Sequence, residues 1–269
     1  MFIDDHHGAF RINSHHLRVE NRQAPSCLRQ GIQKGNLTFK QRGFRLNSEK
    51  WKLIREKSEH HSRWLVSTYL NRPFSNVITY FLIDRNVTPN QISAFTSLFS
   101  LLIFFSYALG NFVLGGILTQ VVSIIDGVDG EIARAKNLCS NIGGVLDSIF
   151  DRLAEILICL GVGFGVSMVK GGQLAWLFST IGTVGFLMDT YIAELVKSRT
   201  GHSLHEAVER IEEKLRFSPS DRGLKLLMIC ILSILGFPEW GVFLAGLISI
   251  FYAVAKFSVW LKDQRRRFL

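Results

Sequence analysis

Cysteine is scarce and unpatterned in this chain of 269 residues: Cys27, Cys139, Cys159 and Cys230 follow neither disulfide-type nor metal-type spacing. A disulfide scaffold and a thiolate metal site are thereby excluded, and the cysteines within apolar runs behave as small hydrophobes. A cleavable signal peptide is not visible either, because the first apolar run begins only near residue 91. No internal repeat appears, which argues against the duplicated architecture common among transporters.

What is present is apolar surface in long runs. The chain is 48% hydrophobic with 21 phenylalanines and a mean hydropathy of +0.21. It is too apolar for an ordinary soluble domain, and its charged stretches are too many for a chain buried throughout. The formal charge of +9 would suggest a nucleic-acid partner in a soluble protein. Here it fits loops that remain cytosolic against anionic lipid, and no nucleic acid is expected.

Residues 1–60 carry twelve Lys/Arg against six Asp/Glu with little periodicity, and read as a polar cytosolic arm, partly disordered. The histidine pairs His6-His7, His15-His16 and His60-His61 are solvated, since adjacent side chains diverge on either regular element. Residues 61–87 form an interfacial amphipathic segment: Phe74, Val77, Ile78, Phe81 and Leu82 recur at helical spacing, interrupted near the start by Pro73 and flanked by Arg63, Arg72 and Arg85. Thr88 then caps a helix that Pro89 begins.

Residues 88–265 are predicted to form an all-α membrane domain of six transmembrane helices: 91–109, a second from Phe112 through the acidic residues that follow it, about 142–169, 174–196, 224–237 and 241–261. The 134–140, 197–222 and 262–269 connections hold twelve Lys/Arg, whereas the opposite connections hold only Lys170. This asymmetry puts both termini and the acidic cluster in the cytosol, in the plasma membrane if the cell is prokaryotic. In the 197–222 connection, Leu204, Val208, Ile211 and Leu215 mark an amphipathic piece that reads equally as a surface helix or a lid.

The stretch DGVDGEIARAKNLCSNIGGVLDSIFD, residues 126–151, carries the chemistry. Asp126 and Asp129 are three apart and Asp147 and Asp151 four apart, so each pair shares a helix face. Four carboxylates at the ends of apolar helices are costly unless something holds them, and a divalent cation with oxygen ligands is the economical choice. Acids that merely cap helices or face a loop are the plain alternative.

The spacing Asp126, Asp129, Gly130, Ala133, Arg134, Gly143, Asp147, Asp151 resembles, without departure, the signature D-x2-D-G-x2-A-R-x8-G-x3-D-x3-D of the CDP-alcohol phosphotransferase (CDP-alcohol phosphatidyltransferase) family. The resemblance spans roughly residues 62–265. It implies transfer of a substituted phosphate group from a CDP-alcohol, of CDP-diacylglycerol or CDP-inositol type, to an acceptor alcohol with release of CMP, in phospholipid or inositol-phosphate biosynthesis. It further implies two magnesium ions, or manganese, held by Asp126, Asp129, Asp147 and Asp151, with Asp151 also the general base. Gly130, Ala133, Arg134, Gly143 and Asn90 would face the donor nucleotide, and a homodimer is expected. Arg134 suits either the motif carboxylates or the donor phosphate.

The segment RWLVSTYLNRPFSNVITYFLIDRNVTPNQIS, residues 63–93, resembles the subset related to archaeal di-myo-inositol-phosphate-phosphate synthases. About 60 residues precede it, too few for the soluble nucleotidyltransferase domain of some members. Inositol-phosphate chemistry and phospholipid head-group transfer are therefore both open. For a phosphorylated acceptor, Arg199, Arg216 and Arg222 offer guanidinium groups beside Ser218, Ser220 and Asp221; arginines that only keep the loop cytosolic are the alternative. Two rival classes remain. A membrane prenyltransferase also binds magnesium-diphosphate through Asp-rich motifs, but as two separate copies. A transporter would use intramembrane acids such as Glu155, Asp189 and Glu194.

Overall fold

The computed structural model describes residues 48–59, 66–201, 218 and 221–267. The described residues are helical, without strands: α1 (Ser48–Glu59), a π-helical turn (Ser67–Asn71), α2 (Arg72–Leu82), α3 (Pro89–Ala108), α4 (Phe112–Ala135), α5 (Asn141–Val169), α6 (Leu174–Thr200), α7 (Arg222–Ile234) and α8 (Pro238–Arg267). Four of these are long and apolar enough to cross a membrane: Pro89–Ala108, Phe112–Ala135, Asn141–Val169 and Pro238–Lys262. The fifth expected span is shorter and earlier than its hydropathy suggests. It ends at Ile234, and Gly236, with φ of +86°, turns the chain into α8. The three histidine pairs, the amphipathic piece at 204–215, Arg216 and Ser220 lie outside the described residues.

Local chemistry fixes the helix boundaries. Thr88 and Gln91 form a reciprocal capping box at the start of α3, with Pro89 as its first residue. The hydroxyls within α3 return to the carbonyl four residues back, as Thr96 to Ile92 and Ser100 to Thr96, both at 2.9 Å. They are thus satisfied without water inside an apolar helix. Gly110, with φ of +79°, reverses the chain between α3 and α4. Pro73 does not break the preceding segment: it falls in the first turn of α2, where no backbone donor is lost.

The core lies among α3 to α8, with Ile103, Val122, Ile158, Val162, Phe186, Leu226 and Val242 fully or almost fully buried. Tyr107 stands at its centre, its hydroxyl 2.8 Å from Ser233 Oγ and 3.4 Å from Thr119 Oγ1, so that α3, α4 and α7 share one polar contact. Gly165 lets α5 pass directly over the Tyr107 carbonyl, and a Cβ there would overlap that oxygen. Between α6 and α8, Gly185 and Gly246 meet backbone to backbone.

Outside the core the polarity runs opposite to that of a soluble protein. Phe95, Leu98, Leu102 and Phe105 of α3 and Val145, Ile149 and Leu153 of α5 are exposed. The same inversion holds in α2, where Ser75, Asn76 and Thr79 face inward while Phe74, Val77 and Phe81 face outward. Within the stretch expected to be a polar arm, residues 48–59 form α1 and dock on α2. Trp51 meets Tyr80 edge-on at 5.9 Å, and Lys50 pairs with Asp84 at 2.5 Å.

Candidate functional site

α4 and α5 form the hairpin that carries the acidic residues. α4 continues through Asp126 and Asp129 to Ala135, Asn137 adopts a left-handed φ of 54° in the turn, and Ser140 caps α5 by accepting from Gly143 N at 3.0 Å. Asp147 and Asp151 thus come from the first turns of α5 and face the last turns of α4. The carboxylates of Asp126, Asp147 and Asp151 offer ligand atoms within 4.8 Å of one another. Asp129 is deeper, 6% exposed, and turned aside: its oxygens accept from Ser93 Oγ and from Gly130 N, each at 2.5 Å. Three of the expected ligands therefore converge, while the fourth is held by a hydroxyl from α3.

Guanidinium groups brace the cluster. Arg222 Nη1 binds Asp126 and lies 2.9 Å from Asp151 Oδ1, while its Nε donates to Glu155 Oε1 at 3.0 Å. Arg152 reaches Glu155 Oε2 at 2.6 Å. Of the five carboxylates Asp126, Asp129, Asp147, Asp151 and Glu155, three (Asp126, Asp151 and Glu155) thus receive ion pairs from Arg152 and Arg222. This leaves an excess of anionic oxygens in an apolar bundle. An all-oxygen donor set with uncompensated negative charge fits a hard divalent cation.

The other expected residues separate. Asn90, at the start of α3, and Gly143, at the start of α5, are neighbours: a Cβ on Gly143 would lie 3.3 Å from Asn90 Oδ1. Gly130 leaves room on α4 for the Arg134 side chain, whose Nη1 would be 3.1 Å from an added Cβ, and Ala133 is half-buried beside it. Arg199 is exposed in the last turn of α6 and takes no part in the ion pairs described above. Of the three acceptor candidates, only Arg222 is found at the cluster among the described residues.

Several participants had little or no signal in the sequence. Glu131, 2% exposed, accepts from Ser75 Oγ at 2.6 Å and Thr79 Oγ1 at 2.5 Å, with Arg72 at 3.5 Å. It thereby ties the polar face of α2 to α4. Burial lowers the Arg72 guanidinium from its ordinary value, and Glu131 pulls in the opposite direction. Glu155 extends the four-residue spacing of Asp147 and Asp151 by one step, the only clue to its membership. The intramembrane acid Asp189 is not part of the cluster. It pairs with Lys225 at 3.3 Å and Lys256 at 2.8 Å, while Glu194 meets Lys197 at 3.7 Å on the surface.

Two spaces flank Asp126. On the α3 and α5 side lies a narrow void lined by Ser93, Thr96, Asp147 and Asp151. On the α2 and α7 side lies a cavity of about 160 Å³ lined by Asn71, Arg72, Ser75, Ser123, Asp221 and Arg222. Asp221 caps α7, accepting from Gly223 N at 3.2 Å and Ser67 Oγ at 3.1 Å through Oδ1. Burial pushes its carboxyl above the ordinary range.

Comparison with known proteins gives this arrangement a context. A family model described as CDP-alcohol phosphatidyltransferase matches residues 86–260. A bifunctional IPC transferase and DIPP synthase of Aquifex aeolicus is 33% identical over 200 residues, covering 73% of this chain and 44% of that protein. An archaetidylinositol phosphate synthase of Pyrococcus horikoshii is 30% identical over 171 residues, covering 62% of this chain and 80% of that protein. The chain thus spans less than half of the Aquifex protein and four fifths of the Pyrococcus one. Among solved structures, Mycobacterium tuberculosis phosphatidylinositol phosphate synthase with CDP-DAG bound superposes with a TM-score of 0.57 at 17% identity, over 70% of this chain and 94% of that one. The same protein in complex with manganese and citrate gives 0.57 at 18% identity, over 69% and 88%. At these identities the likeness is one of fold.

Proposed function

The chain belongs to the CDP-alcohol phosphatidyltransferase family, and from that membership we propose that it transfers a substituted phosphate group from a CDP-alcohol to an acceptor alcohol, releasing CMP. The observation that carries the proposal is the convergence of Asp126, Asp147 and Asp151 at one end of the α4–α5 hairpin within the complete motif. Divalent ions held there, magnesium or manganese with Asp129 joining the other three, would neutralise the donor diphosphate and the departing CMP.

The chain's own groups supply the rest. Asp151, held by Arg222 at 2.9 Å, takes the proton of the acceptor hydroxyl. The acceptor oxygen forms a bond to the phosphorus that carries the alcohol, and the phosphorus–oxygen bond to CMP breaks with its electron pair leaving on CMP. Asn90, Gly130, Ala133 and Gly143 flank the nucleotide, with small residues where it must approach helix backbone. Arg222 spends Nη1 and Nε on carboxylates, while its buried Nη2 has no hydrogen-bond partner. We assign that Nη2 to a phosphate group on the acceptor.

Six crossings accommodate the site, with α6 and the 13-residue α7 added to the four long apolar helices, and the acidic end facing the cytosol. The outward phenylalanines of α2 suit the membrane interface.

The test is CMP release from purified protein given magnesium, CDP-diacylglycerol or CDP-inositol, and a panel of inositol phosphate, glycerol phosphate, serine and inositol. A chelator should abolish release and magnesium or manganese should restore it. Asp147→Asn should lose at least about a hundredfold in rate, the lower end of what one general acid–base or electrostatic contact contributes. Full activity in Asp147→Asn would overturn the site, and silence with every pair would overturn the reaction.

A further inference from the structure

Glu155 lies one turn beyond Asp151 on α5, buried among apolar helices. It lines neither of the spaces beside Asp126 and is not among the carboxylates whose ligand atoms converge. A charge in such a place is expensive, and one that meets neither cation nor substrate needs another use. Its two oxygens are both engaged by guanidinium groups. Oε1 accepts from Arg222 Nε at 3.0 Å, and Oε2 pairs with Arg152 Nη1 at 2.6 Å. Arg152 Nη1 also donates to the Phe186 carbonyl at 3.4 Å. A run of charges thus passes from the backbone of α6 through α5 to Arg222 on α7, and from there to Asp126 on α4.

The far end of this run meets two of the converging carboxylates. Arg222 Nη1 binds Asp126 and lies 2.9 Å from Asp151 Oδ1. A guanidinium and a divalent cation compete for the same carboxylate lone pairs, so each oxygen aimed at Arg222 is less available to a metal. Arg222 divides its charge among three carboxylates, and Glu155 takes the Nε share. The guanidinium is planar and its donors are fixed relative to one another, so a grip on Nε sets the plane and limits how far the rest can turn. Released at Nε, it would turn a second donor onto Asp126 and Asp151, in the two-pronged pairing that arginine forms with carboxylates.

Resting on the cation site of the reading above, we propose that Glu155 is a positioning residue that restrains Arg222 and so keeps the oxygens of Asp126 and Asp151 available to a divalent cation. It acts through Arg222 and not by touching the ion. Arg152 has two parts in the same device. It fixes the second oxygen of Glu155, and because it is engaged there its Nη2 stays 3.9 Å from Asp151 Oδ2, beyond hydrogen-bonding range. One buried carboxylate therefore withholds two guanidinium groups from the carboxylates that must bind metal and take a proton. The cation affinity of the hairpin is set in part from α7, outside the hairpin itself.

The test is a double-substitution cycle on manganese binding to purified full-length protein without nucleotide, free manganese being read from its electron paramagnetic resonance signal. Glu155→Gln should weaken binding by about tenfold, the value of one charge-assisted hydrogen bond redirected onto the metal's ligands. Arg222→Gln should tighten it, and adding Glu155→Gln to Arg222→Gln should change it by less than about twofold. A glutamate acting only as a nearby negative charge, or only as packing, would keep its effect in the Arg222→Gln background, and that result overturns the assignment. Wild-type affinity in Glu155→Gln overturns it as well. If a glutamine variant does not accumulate, Glu155→Asp and Arg222→Lys make the same cycle, because aspartate falls short of Nε and lysine has no second nitrogen. Turnover lost in Glu155→Gln should largely return at saturating manganese with donor KM within about twofold of wild type; turnover that stays lost there counts against the proposal. Absence of manganese binding in the wild type overturns the cation site and the assignment with it. A cycle that closes as expected in a protein releasing no CMP from any donor–acceptor pair overturns the transfer reading and leaves the role of Glu155 standing.

Discussion

Glu131 offers a direct measure of how α2 is held. Its carboxylate lies 2% exposed and meets Ser75, Thr79 and Arg72 from the inward face of α2. Glu131→Ala removes all three contacts and leaves the partly buried Arg72 guanidinium without its counter-charge. Breaking a buried ion pair from one side costs about 3–5 kcal/mol, and the two abandoned hydroxyls act in the same direction. For a chain of this size that corresponds to roughly 6–20 °C in thermal midpoint. Glu131→Gln keeps an acceptor for the hydroxyls and gives up only the charge, so its loss should be less than half as large. The assay is thermal unfolding in detergent, with hydrogen exchange to locate the change. Amides of Arg72–Leu82 should lose protection in Glu131→Ala, while those of Pro238–Arg267 should not. A midpoint within about 2 °C of wild type, or loss of protection spread evenly over the bundle, would refute the view that one carboxylate anchors α2.

Two further outcomes are expected. Gly165→Leu should prevent α5 from passing over Tyr107, because even a Cβ there overlaps the Tyr107 carbonyl; a loss of at least about 3 kcal/mol or failure to accumulate in membranes is expected, and wild-type stability would contradict the packing. A reporter fused after Leu269 should read as cytosolic and one inserted near Lys170 as external; the reverse result would place the acidic cluster on the wrong side for a cytosolic nucleotide.

The acidic hairpin was legible because its information is local: spacings of three and four residues fix a helix face whatever surrounds it. The start of α3 was equally legible, since a capping box and a first-turn proline are complete within four residues. The partners were not. Arg222 reaches Asp126 across 96 positions and Ser93 reaches Asp129 across 36, distances over which a single sequence carries no pairing signal. The divergence of Asp129 follows from Ser93, one turn into α3, whose hydroxyl reaches Asp129 as well as the Pro89 carbonyl of its own helix. The orientation of α2 was hidden for a different reason. Helical periodicity identifies two faces but assigns neither to the interior, and only the match of Ser75 and Thr79 to Glu131 fixes the polar one inward. The early end of the fifth apolar run depended on a backbone conformation at Gly236 that hydropathy does not record.

The contact between α6 and α8 has a mechanical consequence. Where Gly185 and Gly246 bring the two backbones together, no flexible side chain lies between the helices to absorb displacement. A few tenths of an ångström of sliding would meet main-chain repulsion, so this side of the bundle is stiff. The opposite side, where the π-helical turn and α2 rest on α4, is joined by hydroxyl and guanidinium contacts that can lengthen or change partners at low energy. A displacement of the helices would therefore be taken up more readily on that side than at the α6–α8 contact.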